Sequence, residues 1–97
     1  MEKNLIIQTI VDYLKQNRVT EIGFFGSFAR DEMTPESDID VLVEYTRPTT
    51  LFDIVRMQLD LSEKVGRKVD LVSRSAVRPD VMEYIKKDLR MLFHAKG

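Results

Sequence analysis

The sequence predicts an α/β fold of the α+β kind: a small mixed sheet with helices packed against it. Three observations predict it. Apolar residues at helical spacing alternate with short β-like runs, in the order helix, strand, short helix, strand, helix, strand, helix. No internal repeat, low-complexity tract or linker interrupts that order. The 97 residues suffice for one compact domain and not two, so residues 1–97 are expected to form a single domain.

Each element has its own signal. Over residues 3–17, Ile6, Ile7, Ile10, Val11 and Leu14 recur at helical spacing, and Asn17 can close the helix. Val19 to Phe25 is a short apolar run ending at Gly26, read as a strand. Residues 27–32 read as a short helical turn, and Thr34-Pro35-Glu36-Ser37 as a loop. Asp38 to Tyr45 is the second strand, with Ile39, Val41 and Val43 on one face and Asp38, Asp40, Leu42 and Glu44 on the other. Arg47-Pro48-Thr49-Thr50 breaks it.

Thr50 and Asp53 then have capping-box spacing, which predicts a helix over 51–64 that stops at Gly66. Its apolar residues make two adjacent stripes: Phe52, Val55 and Leu59, and then Ile54, Met57, Leu61 and Val65. That is wider than one core contact requires: either the helix is deeply packed, or one stripe meets another chain, with Met57 and Leu61 as the positions that test the second reading. Arg67 to Ser73 is the third strand, with Val69 and Leu71 opposite Lys68, Asp70 and Val72. Arg78-Pro79-Asp80 opens a further helix along Val77, Val81, Ile85 and Leu89. Met91 to His94 reads as a short edge strand.

Composition narrows the function. Fifteen basic against sixteen acidic residues give a formal net charge of -1, which argues against strong nucleic-acid binding. Without cysteine there is no disulfide, thiol catalysis or Cys-based zinc site. No apolar run approaches the ~18 residues that span a bilayer. Glu2 and Asn4 interrupt any signal-peptide pattern, so a cytoplasmic protein is expected.

The chemistry gathers between Gly26 and Val43. A glycine at a strand-to-helix turn admits a ligand close to the backbone, and the Ser27 hydroxyl can donate to a phosphate oxygen. Arg30, one turn on, can add a charged contact. Asp38 and Asp40, alternate on a strand, share a face with Cα atoms about 6.5–7 Å apart. Asp70 lies in another β-like run and reaches the same face if the strands are neighbours. Three carboxylates there suit Mg²⁺ or Mn²⁺ with a nucleoside triphosphate, two ions clamping an in-line displacement. The third acid can draw a proton from an attacking hydroxyl. His94 has no Cys or His companion that would make it a ligand, and nothing selects among Tyr13, Tyr45 and Tyr84 as acceptors.

Gly26-Ser27-x-Ala29-Arg30, Ser37-Asp38-Ile39-Asp40 and the later Asp70 together resemble the nucleotidyltransferase superfamily that includes DNA polymerase beta. Within it the chain is most similar to the minimal nucleotidyltransferases, the MNT antitoxins paired with HEPN toxins. The resemblance implies a palm-like α/β fold. It implies that Gly26 and Ser27 hold the triphosphate of ATP, that Asp38 and Asp40 bind both metals, and that Asp70 binds the catalytic one. It also implies a HEPN ribonuclease partner, AMP being transferred to its tyrosine; occlusion without catalysis is the alternative. Asp31 departs from the pattern, standing where the family often has glycine, and is expected to weaken phosphate binding or alter the turn.

Overall fold

In the computed structural model, residues 1–46 and 48–95 are described, and Arg47 of the expected strand break lies outside them. The elements are α1 (Lys3–Gln16), β1 (Val19–Phe25), α2 (Gly26–Ala29), β2 (Ile39–Tyr45), α3 (Leu51–Val65), β3 (Val69–Ser73), α4 (Pro79–Lys86) and β4 (Arg90–His94). The four strands form one sheet in the order β3-β2-β1-β4. β1 runs antiparallel to β2 and β4, whereas β2 and β3 are parallel, so the sheet is mixed as expected. A parallel pair needs a crossover, and α3 supplies it.

Alternation along the strands decides which face is buried. Ile22 and Phe24 of β1, Ile39, Val41 and Val43 of β2, and Val69 and Leu71 of β3 enter one core. Ile6, Ile10 and Leu14 of α1 and Met57, Leu61 and Val65 of α3 close it. Both helices start and stop by local chemistry. Asn17 caps α1, its side-chain amide donating to the Tyr13 carbonyl at 2.8 Å. Thr50 and Asp53 form the reciprocal capping box of α3, and Gly66 ends it in the left-handed conformation at φ 72.

Leu42 and Ile85 are buried outside that core cluster. Leu42 lies on the strand face opposite to Val41 and Val43. Close by, Gly23 leaves room for Met91 and Leu89: a Cβ there would come within 2.7 Å of the Met91 Sδ and 2.8 Å of a Leu89 methyl.

Two expectations are corrected, and one element appears that the sequence did not signal. The helix opening at Arg78-Pro79-Asp80 is short, ending at Lys86, and only Ile85 of its expected stripe is buried in it; Val81 stays exposed. A 3-10 turn over Arg74–Ala76, with no periodic signal of its own, follows β3. The second correction concerns α3. Met57 and Leu61 are 2% and 0% exposed, so they cannot meet another chain; Leu51, Phe52, Val55 and Leu59 form the outward stripe, Phe52 at 88% exposure.

The β3 edge of the sheet is already met by side chains of α3. In a parallel pair every second amide of the edge strand points outward. On β3 those amides belong to Val69, Leu71 and Ser73, and the first two find partners on α3. The Val69 amide donates to the Ser62 hydroxyl at 2.9 Å and the Leu71 amide to the Gln58 side-chain oxygen at 2.7 Å. Gln58 and Ser62 lie one turn apart on α3 and so share a face.

Candidate active site

The turn from β1 into α2 is held by its ends. Gly26 adopts φ 70, a left-handed conformation that residues with a Cβ avoid. Its neighbour Phe25 pairs with Asp40 across the antiparallel ladder. A Cβ on Gly26 would overlap the Asp40 carboxylate, so glycine is needed both for the backbone and for the acid. Phe28 anchors the far side of the turn: it is 3% exposed and its ring centroid stands 5.2 Å from that of Phe24. Ser27 is left half-buried beside Gly26, its carbonyl accepting from the Glu32 amide at 2.9 Å.

The acids meet as the strand pairing dictates. Asp40 and Asp70 are direct register partners in the parallel β2–β3 pair, so their Cα atoms are about 4.8 Å apart. Both lie opposite to core-facing neighbours, which turns both toward the same sheet face. Asp38 immediately precedes β2, and its carboxylate stands 3.7 Å from the Lys68 ammonium. Burial pushes the Asp40 carboxyl above the ordinary carboxylate range, and the negative charges of Asp70 and Asp38 push it further, against a smaller opposing pull from Arg30. A carboxyl crowded in this way by two other acids belongs to a hard-oxygen donor set that a divalent cation would relieve. Among the described residues no three acid or histidine side chains form a ready-made metal cage.

Arg30, one turn on from Ser27, carries two ion pairs. Its Nε donates to Glu32 at 2.7 Å and its guanidinium to Asp88 at 2.6 Å, tying the α2 turn to the segment between α4 and β4. Asp31 follows at φ 59, a positive angle that explains a preference for glycine at this position. Its carboxylate is paired with Lys3 at 2.5 Å, and that ammonium holds it below the usual carboxylate range. Lys3 and Asp88 were not legible as site neighbours, because each reaches the turn across a long stretch of sequence that no local pattern spans.

The tyrosines stand apart from this centre. Tyr45 ends β2, five residues from Asp40 and so about 17 Å along the strand. Burial pushes its phenol up to about 12. Tyr13, also pushed up to about 12, by burial and by the hydrogen bond it donates to Asp60 at 2.7 Å, lies on α1. His94 stands 3.7 Å from Glu21, away from the three acids in the pairing of β4 with β1.

Comparison with known proteins agrees with this arrangement. Residues 7–92 match the model of the nucleotidyltransferase domain. A candidate protein adenylyltransferase of Methanocaldococcus jannaschii is 37% identical over 79 residues, covering 81% of this chain and 85% of its own. The protein adenylyltransferase MntA of Thermococcus cleftensis is 31% identical over 71 residues, covering 73% and 72%. Among solved structures, the complex of an AMPylated HEPN toxin with its MNT antitoxin from Shewanella oneidensis superposes with a TM-score of 0.80 at 19% identity, covering 97% of this chain and 74% of the other. A mixed sheet that brings a left-handed glycine turn against paired aspartates is thus the nucleotidyltransferase arrangement, and the chain belongs to the nucleotidyltransferase domain family. It is an enzyme of that class, related to proteins named protein adenylyltransferases.

Proposed function

We propose that residues 1–97 act as a single minimal domain: a cytoplasmic, metal-dependent antitoxin that transfers AMP from ATP to a tyrosine hydroxyl of a HEPN-type toxin. The observation that carries this reading is the meeting of Gly26, Asp40 and Asp70 at one strand edge. The named activity of the relatives and the AMPylated toxin bound by a protein of the same fold support the acceptor class. No described helix is long and apolar enough to cross a membrane, which is compatible with a cytoplasmic site.

In this reading Gly26 lets the triphosphate approach the backbone and the Ser27 hydroxyl donates to it. Asp38, Asp40 and Asp70 would hold Mg²⁺ or Mn²⁺, two ions that supply charge neutralisation for the attacking and leaving oxygens. Asp70 takes the proton of the tyrosine hydroxyl. The phenolic oxygen then forms a bond to the α-phosphorus, the bond from that phosphorus to the bridging oxygen breaks, and pyrophosphate leaves. Arg30, whose Nε and one terminal nitrogen are held by Glu32 and Asp88, can offer its other terminal nitrogen to the phosphates.

The toxin is expected on the outward stripe of α3, where Leu51, Phe52, Val55 and Leu59 present apolar surface next to Arg56 and Asp60. The test mixes purified protein, the toxin, Mg²⁺ and labelled ATP. Label should appear on the toxin and vanish with Asp38→Asn/Asp40→Asn. Full neutralisation by that double variant without label would replace this reading by occlusion.

A further inference from the structure

Asp31 is a charged residue in a left-handed conformation inside the turn that carries Gly26 and Ser27. It is an acid in the segment that follows Ser27, the turn that on the proposed function receives a polyanion. It is not left bare. The Lys3 ammonium, at the first residue of α1, bonds the Asp31 carboxylate at 2.5 Å and the Phe28 carbonyl at 2.8 Å. It also lies 5.0 Å from the centroid of the Phe28 ring. That carbonyl belongs to the last turn of α2, where no further helix exists to accept from. Phe28 itself is fixed in the core. The Asp31 amide donates to the same Phe28 carbonyl at 3.3 Å, which fixes the backbone that bears the acid. One cation from a distant helix therefore closes the end of the turn and neutralises the acid within it.

We infer that Lys3 is a positioning residue for nucleotide: it clamps the 26–32 turn in its receiving shape and masks the charge of Asp31 from the triphosphate. The inference rests on the proposed function, because it assumes that the turn receives phosphate. It predicts an asymmetry that a plain structural ion pair would lack. Removing Lys3 alone should harm nucleotide binding, since it uncovers Asp31. Removing Asp31 as well should restore most of it, and glycine suits the left-handed backbone at that position.

The experiment compares the full chain with its Lys3→Ala, Lys3→Arg, Asp31→Gly and Lys3→Ala/Asp31→Gly variants. Each is titrated calorimetrically with a non-hydrolysable ATP analogue and Mg²⁺. Amide hydrogen exchange over residues 26–32 is followed without nucleotide, and KM and kcat for ATP are measured with the toxin. Lys3→Ala should weaken binding of the analogue roughly five- to tenfold, with KM rising and kcat nearly unchanged, as loss of ground-state binding requires. Lys3→Arg should keep most of the affinity, Asp31→Gly should bind at least as well as the parent, and the double variant should recover. Exchange over 26–32 should quicken in Lys3→Ala. A double variant as weak as Lys3→Ala overturns the masking, and unchanged exchange in Lys3→Ala overturns the clamp. If the parent chain takes no analogue, the functional reading falls and the masking with it, while the exchange measurement still decides the clamp.

Discussion

Gly26→Ala should separate the cost of a turn from the cost of a displaced acid, because Gly66→Ala provides its control. The two glycines have nearly the same backbone, φ 70 and φ 72. Either alanine is driven into the left-handed region, which costs about 1–2 kcal/mol. For a chain of this length that lowers the melting midpoint by roughly 4–8 °C per kcal/mol. Their surroundings differ. A Cβ at Gly66 meets nothing within 4 Å, whereas a Cβ at Gly26 overlaps the Asp40 carboxylate and comes within 3.3 Å of its Cγ. Asp40 is a short side chain with an open side, so it relieves the overlap by swinging away, which adds little to the loss of stability. It moves the acid from its place beside Asp70, and a 1 Å misplacement can lower a rate on the order of a hundredfold. The assay is toxin adenylylation with labelled ATP, alongside thermal melting of both variants. The two melting losses should match within about 1 kcal/mol, and only Gly26→Ala should lose activity. Equal activity in the two variants would refute the claim that Gly26 is kept for the acid next to it.

Other outcomes rest on the same geometry. Asp40→Asn should abolish transfer and stabilise the protein in chelator by about 0.5–1 kcal/mol, read as a higher melting midpoint, because it removes like-charge contact with its register partner Asp70. Phe52→Asp or Leu59→Asp should change stability by no more than about 0.5 kcal/mol yet prevent co-purification with the toxin. Leu61→Asp, at a wholly buried position, should lose several kcal/mol, about 3 or more, and be followed by circular dichroism. Hydrogen bonds from Thr50 hold the Asp53 carboxyl below its ordinary value of 3.8, so its contribution is present above that value and is lost as pH falls through the lower folded value. Asp53→Asn should therefore flatten the melting curve against pH below about pH 4.

Most parts of the fold that came from local pattern agree with the structure, the stripe of α4 being the exception. Helical spacing at Ile6, Ile10 and Leu14 and alternation at Ile39, Val41 and Val43 mark residues that are buried. The Thr50–Asp53 spacing became a formed capping box, and Gly66 a left-handed stop. The order of the strands was not legible, since pairing of β2 with β3 depends on α3 as a crossover. Yet the condition set for Asp70, that its strand be a neighbour, is met by its register with Asp40. The apolar width of α3 was visible in the sequence, but periodicity alone does not say which of two adjacent stripes faces the sheet. Arg30 could be placed near the turn, but not its partners, because Asp88 lies 58 residues away.

The two side chains that α3 offers to β3 have a consequence for how copies of the molecule can associate. A β layer lengthens by presenting unmet main-chain donors to a newcomer, and Gln58 and Ser62 have already answered those of Val69 and Leu71. The β3 margin is therefore the less receptive of the two sheet edges, the flank formed by β4 being the other. Two molecules joined along the β4 flank would expose this partly met margin at either end, which disfavours further growth into a fibre.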